Sequence, residues 1–374
     1  MKAERKSLIL LFAIIMTASF FIVTPLHAGK EKKVTLKASC GASHKHCWCQ
    51  GMKEWTERIE ELTDGQIKFN AFYSGSLCKT GQEYQCLTGG SIDAATTLTA
   101  PYHAGMFPLT DVVLLPVLNT DPMVIARAFK KLHYSDQPLK DGKTFYELEI
   151  ESRDIVAWPV GPTDAYVIST SGKKKFNSPE DFKGATIRCG SRLHSVFIEA
   201  LGANSTFMVG VDTYEAFSRG AIDGIIFSIP DWKAYGFQEI IRYTLTGISL
   251  GHYPSYFAIR KETWDSFSDD VKEAFNAASD ELLVLNAQCW INNGVSTIKE
   301  SKEKHGAVFQ DVNEMGDELQ QHIYDAVVKT WKNWIEEEEE KGNPARATAK
   351  LWAKLVIEEG GDIPQEVKQY LELD

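Results

Sequence analysis

The sequence predicts a two-lobed α/β fold, with a hinge between the lobes and one long helix spanning both. Three observations carry this. Over the first hundred residues, short alternating apolar runs are interleaved with helical periodicities, the pattern of strand–helix–strand units around a mainly parallel sheet. The fragment Gly90-Ser91-Ile92-Asp93 is echoed by Gly220-Ala221-Ile222-Asp223, and each copy follows a short helix and opens a strand. From Ser268 an apolar face at Val271, Phe275, Ala278, Leu282, Leu285 and Cys289 can be followed to about Lys304. At 1.5 Å per residue such a helix is about 54 Å long, more than the diameter of one small lobe.

Element by element, Val34 to Ser39 alternates as a strand. Met52, Trp55, Ile59 and Leu62 then recur at helical spacing until Asp64-Gly65 stops the helix. Ile67, Phe69, Ala71 and Tyr73 alternate again, a helix over Glu83 to Thr88 ends at Gly89-Gly90, and Ser91 to Thr97 returns as a strand. Further on, Ser178 is a good N-cap, Pro179 suits the first helical position, and Glu180 and Asp181 favour the positive end of a short helix. Gly184 closes that turn, and Ala185 to Cys189 reads as a strand carrying Arg188. Leu193, Val196, Phe197, Ala200 and Leu201 mark the helix after it. Asp212 and Glu215 form a capping box and Gly220 a C-cap for the next helix. Leu319, Ile323, Val327, Trp331 and Trp334 give a later helix with Glu336 to Glu340 as its solvated end, and a last amphipathic helix lies around Leu351, Trp352 and Leu355.

An apolar fraction of 44% and an aromatic fraction of 11% are those of a folded globular chain. The formal charge is −11; without the first 28 residues, which hold Lys2, Arg5, Lys6 and Glu4 and so a net +2, it is −13. So acidic a chain is a poor binder of nucleic acid or anionic membrane through its overall field. The basic run Lys173 to Lys175 is short and reads as a solvated loop.

The N-terminus reads as an export signal: a positive start, an apolar run from Ser7 to Val23, then Thr24-Pro25-Leu26-His27-Ala28, with cleavage expected after Ala28. Cysteine usage fits an oxidising, extracytoplasmic compartment. Five of seven cysteines come early, at Cys40, Cys47, Cys49, Cys78 and Cys86, and at least one disulfide is expected among them, with pairing open. Cys189 and Cys289 lie far along the chain. A metal site in His44-Lys45-His46-Cys47-Trp48-Cys49 is the weaker reading, because adjacent ligands fit one tetrahedral centre poorly.

No metalloprotease, nucleophile-elbow, phosphate-loop or dinucleotide motif is present, no carboxylate spacing singles out an acid/base pair, and no cofactor is expected. Arg188, followed by Gly190 and Ser191 at the start of a helix, instead offers a permanently charged fork at a strand end, as capture of a small anion requires.

S-P-E-D-F-K-G-A-T-I-R-C from Ser178, E-A-L-G-A from Glu199 and Y-E-A-F-S-R-G-A-I-D-G from Tyr214 resemble the signature of TRAP transporter solute-binding proteins of the DctP type. E-E-L-T-D-G-Q-I-K-F-N-A-F-Y-S-G-S-L, G-G-S-I-D-A and K-E-T-W-D-S-F-S-D-D-V-K occur in the family's order, so the resemblance covers nearly the whole chain after the export signal. It implies a periplasmic-binding-protein-like fold, a non-catalytic role, a periplasmic location, two membrane subunits as partners and uptake driven by an ion gradient. Lobe one is expected at 29–155 and 246–300, and lobe two with the C-terminal helices at 156–245 and 301–374, hinged near residues 155 and 245. By resemblance Arg188 clamps a ligand carboxylate. Where many relatives have Glu-Asn after the D-G strand, this chain has Ile226 and Phe227, and Asp164 and Ala165 lie where some have a second arginine. His44, Trp48, Trp158 and Ser191 join Phe227, Tyr235 and Tyr256 as expected ligand contacts, with Trp232 and Tyr253 as further aromatics near the cleft. One arginine among aromatic walls points to a monocarboxylate with an apolar or aromatic body, ahead of a C2–C4 hydroxy or oxo acid or a sulfonate.

Overall fold

A computed structural model describes residues 33–103 and 105–373. The export signal expected over residues 1–28 lies outside them.

Eleven strands form two sheets. In chain order they are β1 (Val34–Ser39), β2 (Ile67–Phe72), β3 (Ala94–Leu98), β4 (Ile155–Pro159), β5 (Tyr166–Thr170), β6 (Thr186–Cys189), β7 (Asn204–Phe207), β8 (Gly224–Ser228), β9 (Tyr243–Thr246), β10 (Tyr256–Arg260) and β11 (Val308–Asp311). The first sheet has the order β2-β1-β3-β10-β4 and the second β11-β9-β5-β8-β6-β7. In the first, β1 runs parallel to β2 and β3, and β10 is antiparallel to β3 and β4. In the second, β6 runs parallel to β7 and β8, and β5 is antiparallel to β8 and β9. Five strands of one sheet therefore repeat the plan of the other, with β5 and β10 each inserted against the run of its neighbours.

The sequence echo marks the same place in both sheets. The Asp93 N–H donates to Lys37 O at 2.9 Å, and Lys37 N–H donates back to Asp93 Oδ2 at 2.9 Å. Asp223 and Thr186 make the same pair of bonds, both at 2.8 Å. The aspartate just before β3 or β8 thus clamps a residue of the parallel neighbour, Lys37 in β1 and Thr186 in β6.

The chain passes between sheets after Pro159 and again between Thr246 and Tyr256. The first passage is a few residues later than expected, because Ile155–Pro159 pairs with β10 and so belongs wholly to the first sheet. Beneath both passages lies the long helix, Asp269–His305. It packs on the helix Cys47–Leu62 of the first lobe and on the turn Ile229–Asp231 that follows β8 in the second. Gly161 allows this closeness, since a Cβ there would stand 2.7 Å from Ala287 N.

Several local expectations need correction. The helix Gly210–Ser218 starts at an N-cap Val209 without a side-chain cap, so Asp212 already lies inside it and no capping box with Glu215 forms. Glu338, within the expected solvated end, is buried and accepts bonds from Asn343 Nδ2 at 2.7 Å and Lys341 Nζ at 2.6 Å. The C-terminal helices straddle the lobes: Asp317–Glu340 packs on Arg192–Ala200, whereas Ala345–Glu358 packs on Pro122–His133 of the first lobe.

Candidate functional site

Six cysteines pair as Cys40–Cys49, Cys47–Cys289 and Cys78–Cys86, and Cys189 is a buried free thiol. Two of these bridges flank one turn. Cys40–Cys49 closes the loop from β1 into the following helix, and Cys47–Cys289 ties that helix's first residue to the middle of the long helix. His46 and Trp48 sit either side of Cys47, so both are carried on a doubly anchored turn. Trp48 Nε1 donates to Gly161 O at 2.9 Å, and Trp290 Nε1 donates to the same carbonyl at 2.9 Å. Among the described residues no three metal-ligating side chains cluster.

The turn faces an enclosed cavity of about 20 Å³ between the lobes, roughly the room of one water molecule. Trp48, Tyr102, Tyr166, Phe227, Tyr235 and Tyr253 supply its aromatic walls, and His46, Asp231 and four threonines its polar ones. The rings pack on one another: Tyr166 stacks on Phe227 with centroids 5.6 Å apart and on Tyr253 at 5.4 Å, and Phe227 meets Tyr235 edge-on at 5.1 Å. Burial holds the phenol groups of Tyr166, Tyr235 and Tyr253 far above their ordinary range, so they stay hydroxyls. Hydroxyl tips and aromatic bodies together make a wall that hydrogen-bonds polar groups and packs apolar ones.

Arg188 stands beside this cavity, on β6, and is fully buried. Its Nε and Nη2 donate to Met208 O at 3.0 and 2.6 Å, its Nη1 donates to Ile226 O at 3.1 Å, and its guanidinium lies 4.7 Å from the Phe227 ring centroid. No carboxylate among the described residues comes within ion-pair distance of it. Of its five N–H groups, three are spent on carbonyls. Gly190 keeps one side of the fork clear of side-chain atoms, for a Cβ there would stand 2.8 Å from Nη2.

The structure gathers Arg188, Phe227, Tyr235 and Trp48 in one place. It sets the other expected contacts apart. Trp158 and Tyr256 face opposite sides of the first sheet: Trp158 packs with Trp55, Trp264 and Phe275, while Tyr256 packs on Phe129 and bonds Thr110. Strand parity on β4 and β10 sends both into the core and away from the cleft. His44 is exposed on the turn before the first helix; its neighbour His46 is the one that reaches the cavity. Ser191 caps the helix Arg192–Ala200, its Oγ accepting His194 N–H at 3.2 Å, so its hydroxyl is committed locally. Sequence reasoning missed Tyr102, Tyr166 and Asp231 as wall residues. For Asp231, the one available signal was its position just beyond the A-I-D-G strand.

A bilobal α/β scaffold with an arginine fork and an aromatic cleft between its lobes defines a class of small-solute receptors. The chain belongs to the bacterial extracellular solute-binding protein family 7, DctP, whose profile matches residues 38–338. The sialic acid-binding periplasmic protein SiaP of Vibrio cholerae is 25% identical over 258 residues, 67% of this chain and 75% of that protein. A TRAP periplasmic solute binding protein from Desulfovibrio salexigens superposes with a TM-score of 0.72 at 23% identity, over 89% of this chain and 98% of that one. A marine metagenome TRAP solute binding protein specific for aromatic acid ligands, solved with 3-hydroxybenzoate, gives 0.74 at 20% identity, over 88% and 99%.

Proposed function

We propose that this protein captures a small organic anion outside the cytoplasm, clamps its acid group with Arg188 and delivers it to the membrane subunits of a TRAP transporter, without chemistry of its own. The observation that carries this is Arg188 itself. A buried guanidinium with only carbonyl partners is left short of a counter-charge, and desolvating a cation without one costs several kcal/mol. An anionic ligand supplies that charge in the fork geometry that suits a carboxylate or sulfonate. Closure of the two lobes about the chain passages after Pro159 and Thr246 desolvates the pair and gives the membrane subunits a distinct liganded surface to recognise.

The cavity must widen for any acid, and a C2–C4 acid or sulfonate asks for the smaller widening. A dry cavity that holds benzene measures on the order of 150 Å³, against about 20 Å³ here. An aryl acid would require the ring wall of Tyr166, Phe227 and Tyr235 to part. The aromatic walls and the aromatic-acid-specific structural neighbour keep that second reading open.

A thermal-shift screen of carboxylates, sulfonates and aromatic acids separates the two, since a ligand at 100 times its Kd adds about 2.7 kcal/mol. Small acids alone should raise Tm, and scattering should show a smaller radius of gyration at saturation. Arg188→Ala should weaken the hit by two to four decades, the equivalent of about 3 to 5 kcal/mol for a broken buried pair. Arg188→Lys should recover part of it. Unchanged affinity in the alanine variant would make Arg188 a structural residue.

A further inference from the structure

Asp231 is the second buried charge of the cleft, and nothing above gives it a role. It follows β8 on the turn Ile229–Asp231, is 1% exposed and lines the cavity. The nearest titratable group is His46, whose Nε2 lies 3.1 Å from Oδ1. Oδ1 has no hydrogen-bond partner of good geometry among the described residues. His46 is itself held by Trp48, whose N–H donates to its Nδ1 at 3.3 Å. Lys233, two residues on, is committed to Glu300 at 2.9 Å. Asp231 therefore lines the cavity with one imidazole, and no lysine or arginine among the described residues, within ion-pair distance.

Its surroundings suit a cation. The carboxyl of Asp164, on the passage between the lobes, is pushed up to about 6, mainly by burial and in part by the charges of Asp121 and Asp231, so negative potential accumulates at this end. Trp48, Tyr166, Phe227 and Tyr235 line the same space, and aromatic rings attract cations. Arg188 stands against the Phe227 wall of the same cavity, 4.7 Å from the ring centroid. Tyr166 and Tyr235 each feel Asp231 as a negative neighbour and Arg188 as a positive one.

We propose that the ligand is a small zwitterion, an ammonium carboxylate or ammonium sulfonate, with its acid group on Arg188 and its ammonium on Asp231 inside the aromatic walls. A ligand with both charges neutralises two buried groups at once, which a hydroxy acid of the same shape does not. This rests on the acid-clamp reading above and adds the identity of the other end.

Matched pairs that differ only in ammonium against hydroxyl test it on the unaltered protein: taurine against isethionate, and β-alanine against 3-hydroxypropionate, each by calorimetry at pH 7. The ammonium member of each pair should bind at least tenfold more tightly. Asp231→Asn, which keeps the shape of the side chain, should bring that ratio close to one while leaving the hydroxy acid's affinity unchanged or higher. Equal or tighter binding of the hydroxy acids to the unaltered protein overturns the inference and leaves the clamp standing. An Asp231→Asn variant that weakens both members equally also overturns it. Failure of every acid in both series to bind overturns this inference and the small-acid reading, and leaves the clamp to be decided by the aromatic acids of the thermal-shift screen.

Discussion

At the scale of single residues, Gly190 controls access to the clamp. Three hydrogen bonds and the Phe227 ring fix the guanidinium of Arg188, so it cannot withdraw from a new methyl group without surrendering them. In Gly190→Ala the Cβ would stand 2.8 Å from Nη2 and 3.3 Å from Cζ and Nη1. Overpacking of this kind costs about 1–3 kcal/mol. Urea denaturation should register that loss, and calorimetry should show weaker binding of whichever acid the unaltered protein takes; a variant unchanged in both would mean the fork is approached from another side. Legibility at this scale divided along physical lines. The strand that carries Arg188 and the helix after it were legible because neighbouring residues set them. Trp158 and Tyr256 were misread because one residue of strand register decides between core and cleft. Asp231 stayed hidden because its partner His46 is brought to it only when two remote turns meet.

At the scale of elements, short-range chemistry was legible and long-range closure was not. The N-cap Ser178 with Pro179 after it and the helix Glu83–Thr88 are set by neighbouring residues, and the structure has them where the sequence placed them. The disulfide Cys47–Cys289 spans 242 residues of chain, and no local pattern announces it. That span matters to stability. In the chain-entropy account a bridge over such a loop contributes about 5 kcal/mol, against about 2.5 kcal/mol for an eight-residue loop such as Cys78–Cys86. Cys289→Ser should therefore lower the unfolding free energy more than Cys86→Ser, within about 2–5 kcal/mol, in urea under non-reducing conditions. Because Cys47 lies between His46 and Trp48, the first variant should also weaken ligand binding. The reverse order of stabilities would mean that the long helix holds its place by packing alone.

At the scale of the whole molecule, buried titratable groups set how stability varies with pH. Burial holds His133 and His194 down to about 3 and His252 to about 4, so all three are neutral in the fold above those values. In the unfolded chain they take up protons below about 6.5. Between about pH 6.5 and 4 the unfolded state therefore binds protons that the folded state refuses, and their contribution to stability falls as the solution is acidified. Buried carboxyls act in the other direction, among them Glu83, which burial also raises. Burial raises Glu149 and Asp164 to about 6, and it raises Asp111, with the charges of Glu149 and Glu338 beside it, to about 8. Each keeps a proton that the unfolded chain has released above about pH 4, so each costs stability as pH rises towards its folded value. Below about pH 6 the imidazoles and the raised carboxyls act against one another and nearly cancel, so stability changes little with pH. Above pH 6.5 these three histidines no longer contribute, while Asp111, on the wall of a second cavity of about 400 Å³, still titrates. Tm should accordingly hold level to about pH 6.5 and decline towards pH 8. Asp111→Asn should abolish the decline, whereas a Tm that rises from pH 6.5 to 8 in the unaltered protein would show that Asp111 is ionised in the fold throughout.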